Sequence, residues 1–333
     1  MSLFEDNPTE LPPEPGDSPG SPDGASKSIS ADSAPLPGDP ITYVAIHPEA
    51  AHPPSDNLPE DLRISWSWLH LLVFGIFGVI SFVAVQLAFA IYYIPARQHF
   101  ANNHEFEQFI FSKPLFAVGS MVLWEASLLF FLYITIALLP DAPFWRSLGW
   151  RTLTSSDPPG LRKPWPYLFL GGVLSIGVFI VTARAKAPDN APIEELFKHR
   201  STMFWFMAMA VLFAPVAEET LFRGYLYPLV ARLTSAAASA SGVERSAAVR
   251  QGVWTSVVLT GAIFGFVHGY QLGWSVGLVL TLTVVGIIFT YVRARTGTVY
   301  ASYLLHLGYN STIALFTLIG FVATKGFTKM PPH

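Results

Sequence analysis

The stretch Trp66–Ile91, WSWLHLLVFGIFGVISFVAVQLAFAI, decides the fold. About 20 mostly apolar residues in helical conformation cross the hydrocarbon layer of a bilayer. Nothing in this run is acidic or basic apart from His70. Similar runs recur downstream, at Leu115–Leu139, Trp165–Ala183, Thr202–Ala217, Val253–Val267, Trp274–Val292 and Val299–Phe321. The fourth and fifth are short, and their helices are expected to continue into flanking polar residues. An amphipathic stretch, Leu221–Leu233, either extends the fourth or forms an eighth element. The expectation is an all-α, polytopic membrane helix bundle of seven to eight spans. Composition agrees: 51% of the chain is apolar and only 13% charged, against roughly a quarter charged in soluble domains. Trp66, Trp68, Trp145, Trp150, Trp165 and Trp274 fall near span ends, where amphipathic rings settle at the membrane–water interface. Gly261, Gly265, Gly269, Gly273 and Gly277 recur every four residues. Where the helix runs through them, they offer a smooth face for close packing.

Outside the spans the chain changes character. Residues 1–60 hold thirteen Pro, four Gly and eleven Asp or Glu against one basic residue, Lys27. Such a segment buries too little apolar surface to offset its ordering entropy. It reads as a disordered acidic tail, with Ile41–Ile46 as its one apolar patch. The formal net charge of −3 is the sum of this acidic tail and a basic remainder. No basic cluster with interleaved aromatics occurs, so nucleic acid is not expected as a partner; the bilayer and a peptide or protein substrate are. There is no cysteine, which excludes disulfides, thiolate metal sites and a cysteine nucleophile. No basic segment followed by an apolar run opens the sequence, so the first span is expected to serve as an uncleaved anchor. Counting loop Lys and Arg across seven spans gives eleven against eight in favour of a cytoplasmic N-terminus. The expected division is a tail at 1–60, N-terminal spans at 61–200, a catalytic membrane core at 201–321 and a short tail at 322–333.

Polar residues inside apolar spans cost about 2.5–3.5 kcal/mol each when charged, so each asks for a reason. Glu218-Glu219-Thr220-Leu221-Phe222-Arg223 follows the run Met203–Ala217 directly. Glu219 and Arg223 are four apart in the favourable order for a helical ion pair. Glu218 is rotated about 100° from its neighbour, so it points elsewhere. A buried carboxylate without a partner suits a general base. The bland alternative is a salt bridge at a helix end. His268 closes the run that contains Phe264; alone, it reads as a histidine hydrogen-bonded at a helix terminus. His306 and Asn310 lie one turn apart inside Val299–Phe321. An imidazole can bind metal, shuttle a proton or donate to an oxyanion, and an amide can donate without titrating; both can equally be glue between helices. Together the four supply a base, two imidazoles and an amide donor, a set able to activate water against a carbonyl with or without a metal. Glu125, alone inside Leu115–Leu139, reads as a structural partner for a polar group on another helix.

At these residues the sequence resembles the CPBP family of CAAX proteases and bacteriocin-processing enzymes, also called Abi, which includes the type II CAAX prenyl endopeptidases. The motifs Glu218-Glu219-x-x-x-Arg223, Phe264-x-x-x-His268 and His306-x-x-x-Asn310 stand in the family's order. Ala214-Pro215 precedes the first, and Arg295-Thr296-Gly297 leads into the third. The resemblance covers roughly residues 200–315. It implies an intramembrane endopeptidase. Glu218 would be the water-activating base, and His268 would hold and polarise the water. His306 and Asn310 would stabilise the oxyanion, and Glu219 with Arg223 would brace the site. It also implies a possible divalent metal such as zinc on His268, His306 and Glu218, since two imidazoles and a carboxylate fit zinc by type. Metal-free water activation fits as well. Two other classes compete: a non-proteolytic scaffold or bacteriocin-immunity-type protein, and a transporter using the cluster with Glu125 as a proton relay. A scaffold needs none of the four polar residues, and the internal repeat common in transporters is not visible.

A segment that cannot form a core should be dispensable for folding. Deleting residues 2–60 is expected to leave membrane insertion and the melting temperature in mild detergent unchanged. Aggregation of the truncated protein would give the tail a structural role.

Overall fold

The computed structural model describes residues 62–154, 162–183 and 191–323. The acidic tail, its Ile41–Ile46 patch and most of the C-terminal tail lie outside the described residues. Every regular element among those described is helical. The first half holds α1 (Trp68–Arg97), α2 (Asn103–Ser112), α3 (Pro114–Ala117) and α4 (Gly119–Leu132), which runs on as a π-helical segment, Tyr133–Leu138. Then come α5 (Phe144–Ser147), α6 (Trp165–Thr182) and α7 (Pro192–Lys198). The second half begins with α8 (Arg200–Leu212), α9 (Ala214–Glu219), a second π-helical segment at Thr220–Leu226, and α10 (Tyr227–Ala240). It ends with α11 (Arg245–Val267), α12 (Val276–Thr296) and α13 (Val299–Ala323).

Six helical stretches are long and apolar enough to cross a membrane: Trp68–Arg97, Pro114–Leu138, Trp165–Thr182, Arg200–Ala240, Val276–Thr296 and Val299–Ala323. On α1, Val79, Ile80 and Ile91 are 67%, 62% and 65% exposed, a surface suited to lipid and not to water. The chain is therefore an integral multi-pass membrane protein. The expected count of seven to eight spans is not borne out. Val253–Val267 lies in α11, whose apolar run is interrupted at Arg250 and Gln251, so α11 is long enough but not apolar enough. Leu221–Leu233 is no separate element; it falls inside the 41-residue rod Arg200–Ala240. That rod carries Pro215 in the first turn of α9 and Pro228 in the first turn of α10. Proline has no N–H for the helical ladder, and the wider π turn precedes the second of these breaks.

Polar groups within the spans are tied across helices. His70, the one ionisable group of the first run, meets the Tyr225 hydroxyl at 2.7 Å and the Thr135 hydroxyl at 2.9 Å. Trp66 donates its indole N–H to the Tyr225 carbonyl at 3.2 Å. Around these bonds Ile64, Trp66, Leu132, Ile136, Leu148, Tyr225 and Leu229 form one buried cluster. It locks the start of α1 and the first π segment against the rod. Outside the apolar layer, Glu244 caps α11 by accepting from the Ser246 and Ala247 amides at 2.9 and 3.1 Å. The Ser246 hydroxyl first, then these amides, hold its carboxyl below the usual carboxylate range.

Close helix contacts rest on missing side chains. A Cβ on Gly261 or Gly265 would strike Ile287 or Thr283 of α12, so the first members of the glycine series do form a packing face. Gly273 lies in the turn between the two helices, and Gly277 faces open space. The α6–α13 contact is equally tight: a Cβ on Gly171 would meet the Leu305 carbonyl, and one on Gly308 the Leu168 carbonyl. Backbone cannot move aside cheaply, and overpacking costs about 1–3 kcal/mol. Gly308→Ala should therefore lower the melting temperature in detergent. Gly320→Ala, on the same helix, where an added Cβ would meet no described atom within 4 Å, should not. Equal behaviour of the two variants would mean that α6 and α13 do not pack this closely.

Candidate active site

The rod, α11, α12 and α13 bring the motif residues together. At the end of α9 two adjacent carboxylates part company, because neighbours on a helix diverge by about 100°. Glu219 is fully buried and turns to Arg223, whose Nη1 donates to its Oε1 at 3.0 Å. The guanidinium, also fully buried, spends its other donors on α12: Nη2 donates to the Gly286 carbonyl at 3.0 Å, and Nε to the Thr290 hydroxyl at 3.3 Å. Aromatic faces complete its surroundings, with Cζ 4.5 Å from the ring centroid of Phe264 and 5.3 Å from that of Phe289. The ion pair expected from spacing is therefore present and is extended by two neutral acceptors and two rings.

Glu218 is not left without a partner, as spacing alone had suggested. Its Oε1 lies 3.8 Å from His268 Nε2, and its Oε2 lies 3.9 Å from His306 Nε2. Both imidazoles are oriented from behind. His268 Nδ1 sits 2.7 Å from the Phe264 carbonyl, which can only accept, so that nitrogen carries the proton. His306 Nδ1 sits 3.0 Å from Glu219 Oε1, an oxygen already charged and paired with Arg223. In the neutral rings each Nε2 then presents a lone pair toward Glu218. Phe264 lies against His268 at 4.7 Å between ring centroids, and Phe289 against His306 at 4.8 Å. Glu219 is thus more than a partner for Arg223: the same oxygen also positions His306.

Asn310 is placed differently from the other three. Its amide N–H donates to the Ala210 carbonyl of α8 at 2.7 Å, joining α13 to the rod. No bond from it to Glu218 or to either imidazole is made among the described residues. Glu125, expected to partner a polar group on another helix, lies near enough to Glu218 of the rod to feel its charge, while its buried Oε2 makes no hydrogen bond among the described residues. Its isolation inside an apolar run was visible in the sequence, but its neighbour was not. Phe289, Thr290 and Gly286 gave no signal, because α12 reads as an uninterrupted apolar span there.

The donor types suit zinc, and both imidazoles have the backing partner that metal-bound histidines usually have. As the side chains stand, however, no three His, Asp or Glu among the described residues are grouped to hold one ion. The distances of 3.8 and 3.9 Å exceed a direct hydrogen bond and suit an intervening water.

Fold and site together define a class, a multi-pass helical membrane protein with a carboxylate–imidazole centre braced by a buried ion pair. Residues 200–312 match the family model described as Type II CAAX prenyl endopeptidase Rce1-like. Over that segment the chain is similar to the type II CAAX prenyl endopeptidases. No curated protein and no solved structure matches the chain.

Removing one partner of a buried ion pair costs about 3–5 kcal/mol, because the other charge is stranded. Arg223→Ala is expected to lower stability and abundance on that scale. Combining it with Glu219→Gln should recover part of the loss, since no charge is then left alone. Recovery should be incomplete, because His306 also depends on Glu219. Thermal melts of the three variants in detergent measure this, and the absence of any recovery would remove the ion pair from its bracing role.

Proposed function

We propose that this protein is an intramembrane endopeptidase that hydrolyses peptide bonds of membrane-associated or lipidated proteins, with Glu218 activating the attacking water. The observation that carries the reading is Glu218 facing two imidazole Nε2 atoms at 3.8 and 3.9 Å. A carboxylate and two nitrogen lone pairs repel unless a proton source stands between them, and a water molecule supplies one. The match of residues 200–312 to a model of type II CAAX prenyl endopeptidases supports hydrolysis as the chemistry. The family's printed name supports a prenylated C-terminal segment as one form of substrate. The excess of basic loop residues supports a cytoplasmic N-terminus, and the motif positions support residues 201–321 as the catalytic core.

In the proposed reaction Glu218 takes one proton from the water as its oxygen bonds to the peptide carbonyl carbon. The carbonyl oxygen becomes the oxyanion of a tetrahedral intermediate. Glu218 then gives its proton to the amine as the C–N bond breaks, leaving a carboxylic acid and an amine and restoring the carboxylate. His268, with Nδ1–H on the Phe264 carbonyl, offers Nε2 to the water's other proton and so aims its lone pair. His306, held at Nδ1 by Glu219 at 3.0 Å, can share at Nε2 the proton that Glu218 has taken and so donate to the oxyanion. Asn310 commits one amide N–H to Ala210 and keeps a second for the same oxyanion. The pair of Glu219 and Arg223 fixes the spacing of the helices that carry these groups.

Glu218→Gln keeps size and hydrogen bonding but removes the basic oxygen. Turnover should fall about 10²–10⁴-fold while the melting temperature is retained. Before a substrate is known, the readout is proteomic: membranes of cells with wild type and with Glu218→Gln are compared for peptide termini that only the wild type generates. Identical termini in both would favour the non-proteolytic scaffold with the same fold.

A further inference from the structure

Glu125 stands on α4, a helix that carries none of the three motifs, near the midpoint of the span Pro114–Leu138. Its place on that helix is a packing position. Val118, Leu128 and Leu132 of α4 are buried. Val118, Met121 and Val122 pack with Met209, Phe213 and Ala214 of the rod. Residues three and four apart share a helix face. Glu125 therefore continues the stripe, one turn after Met121 and Val122 and one turn before Leu128. An aliphatic side chain is the ordinary occupant of such a position.

The protein supplies no donor for the carboxyl group that stands there instead. Its Oε2 is buried and makes no hydrogen bond among the described residues. Glu218 lies near enough for its charge to be felt, but a second carboxylate offers Oε2 neither a counter-charge nor an N–H. Leaving a buried polar oxygen unpaired costs its full desolvation, so the group calls for a partner from outside the fold. A peptide drawn into this site brings the opposite deficit. The bond to be cut has to be open to Glu218, so the N–H groups around it cannot all be satisfied within a helix. At this depth each of them must find an acceptor.

We propose that Glu125 is a substrate-binding residue of the peptidase centre, whose free oxygen accepts a backbone N–H of the peptide beside the bond under attack. The inference rests on the peptidase reading and adds to it a fourth helix, α4, as one wall of the peptide's path. A carboxyl oxygen keeps an acceptor lone pair in either charge state, so the role does not depend on which form Glu125 takes.

The test compares three variants of the full chain with the wild type and with Glu218→Gln. Glu125→Met removes the acceptor and keeps a side chain of similar length. Glu125→Gln keeps an acceptor oxygen. Leu128→Met, one turn further along the same face, changes packing alone. The readouts are the melting temperature in detergent and the peptide termini in cell membranes that depend on Glu218, normalised to the amount of protein. Glu125→Met is expected to raise the melting temperature, since an unpaired carboxyl gives way to an apolar group. It should also reduce the Glu218-dependent termini on the order of tenfold, the loss of one hydrogen bond to a buried N–H. Glu125→Gln should retain most of the cleavage, and Leu128→Met all of it. A fall in melting temperature with Glu125→Met would give the carboxyl a structural partner, and undiminished cleavage would leave it holding water only; either result overturns the proposal. A loss in Glu125→Gln as deep as in Glu125→Met does so too, because charge and not an acceptor would then be required. In each of these cases the termini still depend on Glu218, and the peptidase reading stands. Termini that persist in Glu218→Gln overturn both.

Discussion

A guanidinium closed off from water has to be neutralised where it stands, and the second half of this protein is arranged around that requirement. Arg223 reaches Glu219 on its own helix, a carbonyl and a hydroxyl on α12, and the faces of Phe264 on α11 and Phe289 on α12. Desolvating such a guanidinium costs several kcal/mol unless its hydrogen-bonding capacity is met. Meeting it draws three helices to fixed distances. Glu219 then passes the constraint to α13 through His306 at 3.0 Å. The geometry at Glu218 is a consequence: its two imidazole neighbours stand where the buried pair and the packed rings allow them to stand.

The rod bearing both carboxylates is irregular just beyond them. Its helix widens into a π segment at Thr220–Leu226, with prolines at 215 and 228 on either side. Single π turns inside α-helices are often found at functional sites. Here the segment carries Arg223 and also Gly224, where a Cβ would stand 2.8 Å from the Leu148 carbonyl. The irregular stretch is therefore held by the ion pair on one side and by the loop after the first π segment on the other. The division of labour between Glu218 and Glu219 needs no special backbone, since adjacent helical residues diverge anyway. The environment each one meets decides the rest, a guanidinium in one direction and two imidazoles in the other.

Much of the site was legible in the chain because membrane helices make polar residues conspicuous. Glu218, His268 and His306 stood out against apolar neighbours, and the four-residue spacing of Glu219 and Arg223 already specified their pairing. The imidazole partners of Glu218 were not legible, since they come from α11 and α13. Nor was the second duty of Glu219 toward His306. The commitment of Asn310 to the Ala210 carbonyl involves a backbone atom a hundred residues away, for which no side-chain pattern exists. Glu125 was recognised as isolated, but that Glu218 is its charged neighbour was not legible, because sequence offers no distance between helices. The span count of seven to eight was not confirmed for a local reason: hydropathy registers an apolar run, while the helix around it includes whatever polar turns continue its hydrogen bonding.

The sequence by itself determined that this chain is a helical membrane protein and which residues had to be explained. A hydrocarbon layer leaves an apolar segment no way but a helix to satisfy its own backbone, and it makes each buried charge expensive. Those are local conditions, readable from composition and from spacings within one turn. Only the tertiary structure decided which polar groups face one another and that Glu218 lies between two imidazoles. Such contacts depend on how closely the helices approach, which glycines such as Gly171, Gly261 and Gly308 permit through backbone meetings that no single helix encodes.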